Sequence, residues 1–273
     1  GRDVGKPAID SGEIRSYYPE ENSGRASVQY ERGGLGAWSR LSVAAAWDRY
    51  ALLTARDRLE TESEPREETL ADVAARDFGL RTEAERPLGA ARLVLGLDAS
   101  GRYGLHATNR TTTYALDGSA AEEELEVAVD SARREDLGAF ASLAAPAGRA
   151  RLSAGLRLDR VASRNEGGTL GDHETSATEP SGFAAVGVPL AGGLDLTLQV
   201  ARGFRDALLS DRYYVGISGR GFVTGNPDLE PETSLQFDLG MRYTASRVRT
   251  GLFFFRYRIT NLIERYQTAP DFF

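Results

Sequence analysis

The most constraining feature of this sequence is a recurring segment in which apolar and polar side chains alternate with a period of two. The clearest example covers residues 235–243, where every second side chain is apolar and those between are polar or glycine. The apolar set is Leu235, Phe237, Leu239, Met241 and Tyr243. Such alternation is typical of a β-strand that has one apolar and one polar face. Because the pattern recurs along the chain, we predict an all-β protein.

The alternating segments come in pairs, and the pairs are joined in a regular way. We predict strand pairs at about residues 26–48, 77–98, 137–159, 184–201 and 235–259. A turn of a few residues joins the members of each pair, whereas long connections separate the pairs, at about residues 49–75, 99–133, 163–180 and 205–231. We expect residues 261–267 to begin an eleventh strand, and residues 1–23 show no clear period. In an up-and-down antiparallel sheet, all short turns then lie at one rim and all long connections at the other.

This asymmetry is typical of outer-membrane β-barrels, which have short periplasmic turns and long extracellular loops. Most of the predicted strands reach the roughly 9–11 residues that cross a bilayer at a tilt. We expect the polar faces to carry Arg92, Asp98, Arg151, Arg157, Asp159, Asp195, Asp238, Arg242, Arg256 and Arg258. We expect aromatic girdles at the membrane interfaces from Trp38, Trp47, Tyr243, Phe253, Phe255 and Tyr257. A secreted soluble β-protein with a half-exposed sheet gives the same local pattern and stays an alternative.

Composition excludes several classes of function. The chain has no cysteine and only two histidines, so disulfides and cysteine-ligated metals are excluded and a histidine-rich site is poorly supplied. The net charge of −7 argues against a nucleic-acid partner. No carboxylate pair, phosphate loop or metal spacing stands out, so we predict neither an enzyme nor a cofactor.

Three segments, in order, resemble TonB-dependent outer-membrane receptors. Residues 154–161, AGLRLDRV, resemble a recurrent barrel strand of that family. Residues 203–214, GFRDALLSDRYY, resemble a second motif, with Asp206-Ala207 in place of the usual Ala-Pro. Residues 225–234, GNPDLEPETS, resemble a third almost residue for residue, with Glu230 where lysine is frequent.

The resemblance implies a 22-stranded transmembrane barrel around an N-terminal plug, in the outer membrane of a Gram-negative bacterium. Such receptors take up a scarce ligand, most often a ferric siderophore, with energy from the TonB complex acting through the plug. We therefore interpret residues 1–273 as a partial barrel domain of about 10–11 strands, without the plug and the closing strands. The implied partners are the ligand, the TonB complex, and outer-membrane lipid and lipopolysaccharide. A passive porin or an adhesin-type barrel remains the alternative function.

The candidate site residues lie around the third motif. We predict a structural, loop-to-strand role for Gly225, Asn226, Pro227, Leu229, Pro231 and Glu232, since a residue before proline is biased towards extended geometry. A second group is predicted to lie in the loop or to face ligand: Phe204, Arg205, Asp211 and Tyr213. Within it, we expect Arg205 and Asp211 to form an ion pair.

The distribution of charged residues does not identify the ligand. The acidic run at residues 122–126 is interpreted as a solvated loop, with divalent-cation bridging to lipopolysaccharide as the alternative. Acidic loops disfavour an anionic ferric chelate, whereas arginines on the polar face favour one.

Overall fold

A computed structural model describes residues 2–10, 14–61, 64–218 and 221–266. The first nine strands are β1 (Arg2–Asp10), β2 (Ile14–Leu35), β3 (Trp38–Arg58), β4 (Glu67–Leu88), β5 (Ala91–Tyr114), β6 (Ala120–Ala147), β7 (Ala150–Glu166), β8 (Asp172–Pro189) and β9 (Leu194–Arg205). Next come helix α1 (Leu209–Tyr213), β10 (Val215–Ser218), β11 (Gly221–Thr224), β12 (Glu232–Thr244) and β13 (Arg249–Thr260). A single 3-10 turn, Ala191–Gly193, precedes β9. No helix in these ranges has the length and apolarity needed to cross a bilayer.

The described strands form one antiparallel up-and-down sheet and one small hairpin. The sheet has eleven strands in the order β1 to β9, then β12 and β13, and β10 pairs with β11 separately. The predicted fold class is thereby confirmed. The position of the eleventh strand was predicted wrongly, because β1 supplies it within residues 1–23. Residues 261–266 contain no strand, since Asn261 adopts a positive φ of 56° that turns the chain away from the strand axis.

Tight turns close the hairpins at one end of the sheet, called the short-turn end. Gly36, Gly89 and Gly148 follow β2, β4 and β6, and their φ angles of 61°, 63° and 61° are left-handed. Two-residue hairpin turns need such angles, which glycine adopts without strain.

At the opposite end, called the long-connection end, the strands continue well beyond the predicted segments. The connections after β3, β5 and β7 shrink to residues 59–66, 115–119 and 167–171. The predicted long loops are therefore largely strand. Period-two hydrophobicity could not show this, because both faces of these extensions mix polar and apolar residues.

The cross-strand register keeps all apolar sides together from β2 to β12. One row joins Phe237, Val200, Ala184, Ala154 and Leu143 through successive pairs. This side is called the apolar face, and the side that carries Asp238 and Gln199 is called the polar face.

Strand β13 departs from this arrangement. Phe237 pairs with Arg256, and Asp238 pairs with Phe255. The predicted face of β13 is therefore wrong: Arg256 and Arg258 lie on the apolar side, and Phe253, Phe255 and Tyr257 on the polar side. A tight turn sets this register, closed by a hydrogen bond of 2.8 Å from the Ala245 N–H to the Val248 carbonyl.

The polar face carries a ladder of ion pairs near the short-turn half of the sheet. Arg40 contacts Glu31 and Glu83 at 3.6 and 3.9 Å. Arg81 contacts Glu83 and Asp98 at 2.7 and 3.6 Å, and Arg157 contacts Asp98 at 2.6 Å and also pairs with Asp159. The Phe140 ring lies between the last two arginines, 4.8 and 5.8 Å from their guanidinium carbons. These three arginines are thus already neutralised by carboxylates.

An aromatic cluster lies on the apolar face where β3, β4 and β5 leave the apolar band. The Trp47 indole Nε1 donates to the Tyr103 hydroxyl at 2.9 Å, and the Phe78 ring centroid lies 6.4 Å from that of Tyr103. The register also places Tyr243 on this face, near the short-turn end. These positions suit an interfacial girdle. Phe253, Phe255 and Tyr257 do not belong to it, and neither does Trp38, which shares the polar side with Arg40.

Candidate ligand site at the long-connection end

The described part of residues 206–231, called the capping segment, folds back onto the polar face of the sheet. The segment contains α1 and the β10–β11 hairpin. Its apolar side chains meet those of the strand extensions in the main buried cluster of the described residues: Ala75, Leu105, Ala107, Ala128, Val129, Ala132, Leu209 and Tyr213. The Tyr213 ring is fully buried and stacks on His173, with centroids 6.3 Å apart. The segment is therefore packed against the sheet, as a folded cap.

Buried charges fix the start of the cap. Arg212 and Asp206 are 2% and 5% exposed, and their side chains form an ion pair of 2.8 Å. Arg134 of β6 contacts the same carboxylate at 3.5 Å and donates to the Ala207 carbonyl at 2.6 Å. Removing one member of such a buried group leaves an uncompensated charge, which is costly.

The Gly225 motif holds α1 from the other side. The Gly225 N–H donates to the Tyr214 carbonyl at 2.8 Å, and Arg212 donates to the Pro227 carbonyl at 2.9 Å. A Cβ atom at residue 225 would lie 2.7 Å from the backbone carbonyl of Arg212. Glycine is therefore required here by close approach of two chains.

The rest of the motif leads into β12 through side-chain hydrogen bonds. Asn226 accepts from the Asp228 N–H at 3.0 Å, and its own N–H donates to the Asp211 carbonyl at 2.9 Å. Glu232 accepts from the Ile263 N–H at 3.1 Å. Leu229 donates to the Asn226 carbonyl at 3.4 Å, and Pro231 immediately precedes β12.

The hairpin of the cap is attached to β5 by one buried amide. Asn109, 5% exposed, donates to the Val215 carbonyl at 2.9 Å. The Tyr214 hydroxyl donates to the Ile217 carbonyl. Burial, with a smaller contribution from the nearby Glu126 carboxylate, raises the pKa of Tyr214 to about 12.

A cavity of about 370 Å³, called the capped cavity, lies between the hairpin and the strand extensions. Its described lining combines two arginines, three glutamates, polar groups and two apolar side chains: Arg56, Arg58, Glu67, Thr69, Asn109, Thr111, Glu124, Glu126, Ile217 and Phe222. The Thr69 and Thr111 hydroxyls lie 3.3 Å apart, and Arg58 contacts Glu67 at 3.1 Å. Arg58 Nε and Asn109 Oδ1 are buried without a hydrogen-bond partner. The cavity thus offers both signs of charge and unused polar atoms to a solute.

The family follows from a match along almost the whole chain. A family model described as "TonB dependent receptor-like, beta-barrel" matches residues 3–273. The chain belongs to this family. Its members are outer-membrane receptors and transporters of Gram-negative bacteria, so the protein lies in that membrane and is not an enzyme.

Solved structures share the fold of this TonB-dependent receptor barrel at low sequence identity. The copper transporter OprC aligns with a TM-score of 0.70 and 18% identity, over 89% of this chain and 39% of its own. The ferric citrate transporter FecA in its unliganded form aligns with a TM-score of 0.64 and 13% identity, over 94% of this chain and 37% of its own. The ferric yersiniabactin uptake receptor FyuA from Yersinia pestis aligns with a TM-score of 0.58 and 16% identity, over 93% of this chain and 38% of its own. The chain spans less than two-fifths of each of these proteins, and no curated protein sequence matches it.

In this receptor barrel the short turns face the periplasm and the capped cavity lies at the extracellular end. The sequence-predicted residues lie around the cap, and the described lining of the cavity includes none of them. Phe204 pairs with Thr233 in the sheet, and Tyr213 is enclosed beneath the cap.

The ion pair predicted between Arg205 and Asp211 is wrong. Arg205 contacts Glu232 at 3.4 Å and donates to the Ile263 carbonyl at 2.8 Å. Asp211 accepts from the Leu208 N–H at the start of α1 and contacts Arg265 at 3.2 Å. Arg205 therefore fastens residues 261–266 to β9, and Asp211 fastens them to the cap.

The cavity residues were missed because they fall in segments interpreted as loops. Glu124 and Glu126, from the acidic run, belong to β6, and both line the cavity. The available signal was their spacing of two, which places both carboxylates on one face of a strand.

Proposed function

We propose that this chain is part of a receptor that imports a scarce ligand across the outer membrane, driven by TonB, with a ferric siderophore as the substrate class. The capped cavity supports this proposal, because it combines an enclosed polar site with a position at the extracellular end of the polar face. A site there meets a solute before the solute enters the barrel.

The domain organisation belongs to the same proposal. Residues 1–273 would form part of the barrel wall, and further strands and a plug would complete the receptor. TonB would act through the plug, while outer-membrane lipid and lipopolysaccharide would surround the apolar face. The alignment of the chain with less than two-fifths of three receptor-type structures supports this organisation.

The charges on the polar face favour recognition of the ligand at the capped cavity over electrostatic attraction of the ligand along the rest of the sheet. Arg40, Arg81 and Arg157 are occupied by carboxylates, so they contribute little net positive potential. Arg56 and Arg58 line the cavity together with glutamates and hydroxyls; Arg58 is also paired with Glu64 and Glu67, at 2.8 and 3.1 Å, but its buried Nε has no hydrogen-bond partner. Guanidinium groups bind carboxylates and other anionic oxygens in a bidentate way, and a ferric chelate also presents hydroxyl and amide groups that suit the threonines and Asn109.

Uptake of radiolabelled iron, or of radiolabelled copper for the copper substrate, tests the proposal. Cells that carry the complete gene are compared with cells that lack it or lack TonB, using ferric siderophores, ferric citrate, haem and copper as separate substrates. We expect saturable uptake of a ferric siderophore that disappears without the gene or without TonB. Uptake that persists without TonB would instead support a passive porin.

A matched pair of variants tests whether the ligand binds in the capped cavity. Arg58→Gln alters the capped cavity, whereas Arg110→Gln alters an exposed residue of β5 outside it, paired with Glu123 at 3.4 Å. We expect Arg58→Gln to weaken binding about tenfold, the loss of one charge-assisted contact of roughly 1.5 kcal/mol, and Arg110→Gln to leave it unchanged. Equal effects of the two changes would place the site elsewhere.

A further inference from the structure

We propose that the apolar side of the sheet carries a binding site for a phosphorylated glycolipid of the outer leaflet, centred on Arg49 and Arg76. The two arginines are direct cross-strand partners on β3 and β4. Both side chains are exposed. The two arginines lie on the same side of the sheet as Trp47 and Phe78, and they are two residues closer to the extracellular end than those aromatics. The proposal depends on the location in the outer membrane and is independent of the imported substrate.

The first observation is that like charges face each other without compensation. Among the described residues, neither Arg49 nor Arg76 has an ion pair or a hydrogen bond from its side chain. Their direct and diagonal cross-strand neighbours include no carboxylate. Like charges directly opposite each other destabilise a sheet, and the repulsion grows where the bilayer lowers the dielectric constant. A bound anion would remove this cost.

The second observation is the contrast with the polar side at the same height. There, Arg102 contacts Asp77 at 2.6 Å, and Arg25 contacts Asp48 at 3.5 Å. Residues 48 and 77 immediately adjoin the unpaired arginines in sequence. The carboxylates thus compensate arginines on the polar side and leave those on the lipid side unmatched.

The third observation is the position relative to the aromatic cluster. Tyr103 is the cross-strand partner of Arg76 and accepts the hydrogen bond from Trp47. Aromatic residues of this kind mark the membrane interface. Two residues further along a strand correspond to about 7 Å, which places the guanidinium groups at the level of lipid headgroups. Trp47 and Phe78, 40% and 37% exposed, offer apolar surface to an acyl chain just below.

The same side carries further arginines beyond this centre. Arg133 of β6 lies opposite Arg164 of β7. Glu135, Glu166 and Glu174 share that part of the surface, so its net charge is smaller. The site is therefore assigned to Arg49 and Arg76, whose planar guanidinium forks can bind one phosphate from two directions.

Lipid binding by the receptor produced from its complete gene tests the proposal. Native mass spectrometry in detergent compares bisphosphorylated lipid A with the same lipid after enzymatic removal of its phosphates. We expect preferential binding of the phosphorylated form, weakened at least about tenfold in the Arg49→Gln/Arg76→Gln double variant, because two charge-assisted contacts are lost. Equal binding of the two lipids by the unmodified receptor would overturn the proposal.

A charge-matched control uses the opposite border of the same face. Arg32→Gln/Arg86→Gln removes two exposed arginines that the register places on the apolar side near the short turns, and we expect it to bind lipid A normally. An equal loss of binding in this control would show a general effect of charge and overturn the assignment. Displacement of lipid A by excess inorganic phosphate would identify a general anion site and overturn the glycolipid assignment. Heat-modifiable migration on gels verifies that each variant is folded. The comparison of phosphorylated with dephosphorylated lipid A uses the unmodified receptor, so it does not depend on the folding of any variant.

Discussion

At the scale of single residues, a few positions decide whether the capping segment can lie on the polar face. Gly225 allows two chains to approach more closely than any side chain would permit, and Arg212 uses its guanidinium to join Asp206 to the Pro227 carbonyl. The motif resemblance drew attention to Gly225 and its neighbours. It could not reveal that Arg212 is their buried partner, because the sequence alone does not distinguish a solvated arginine from a buried, paired one.

Gly225→Ala is expected to loosen the cap. The added methyl group would lie 2.7 Å from the Arg212 carbonyl, so the backbone must shift at a cost of about 1–3 kcal/mol. Hydrogen exchange of residues 206–231 should rise accordingly. Gly24→Ala is the control, since a Cβ atom there meets nothing within 4 Å. Unchanged exchange in Gly225→Ala would contradict the close approach.

Tyr214 is expected to ionise about two pH units above an ordinary tyrosine, at about pH 12. Because its folded-state pKa is raised, its contribution to stability is complete below pH 10 and is lost as the pH rises from 10 to 12. An ultraviolet difference titration of the receptor against its Tyr214→Phe variant measures this group. A midpoint near pH 10 would show that the hydroxyl is solvated.

At the scale of elements, the sequence predicted the five strand pairs and their faces from β2 to β12. Alternation succeeds there because one face meets lipid and the other water, so the period is strong. It fails in the strand extensions because polar and apolar residues mix on one face there: Arg56, Thr69 and Glu124 lie on the polar face together with Ala75 and Ala107. It fails differently in β13, where the turn at residues 245–248 sets a register that alternation within one strand cannot reveal.

The cap as an element is expected to depend on the buried group around Asp206. Asp206→Asn keeps the shape of the side chain but leaves Arg212 and Arg134 without their shared carboxylate, at a cost of about 3 kcal/mol or more. Limited proteolysis should then cut within residues 206–231 while the sheet stays intact. Asp228→Asn, an exposed position with a backbone hydrogen bond only, is the control. Equal resistance of the two variants would show that the buried pair does not hold the cap.

At the scale of the whole molecule, one side of the sheet meets lipid and the other faces a polar interior. The apolar row through Phe237 and Leu143, the ion-pair ladder on the opposite side and the cap at the extracellular end all follow from this division. Strand edges in lipid leave backbone groups without partners at several kcal/mol each, which is why we propose that further strands complete the wall.

The most direct test of this division is the accessibility of two neighbouring positions in β8. This chain has no cysteine, so Ala185→Cys and Val186→Cys each introduce a single labelling site on opposite faces. After spin labelling in the membrane, we expect the label at 186 to collide preferentially with oxygen dissolved in lipid. The label at 185 should collide with a water-soluble nickel chelate. The same accessibility at both positions, or the reverse pattern, would contradict the account.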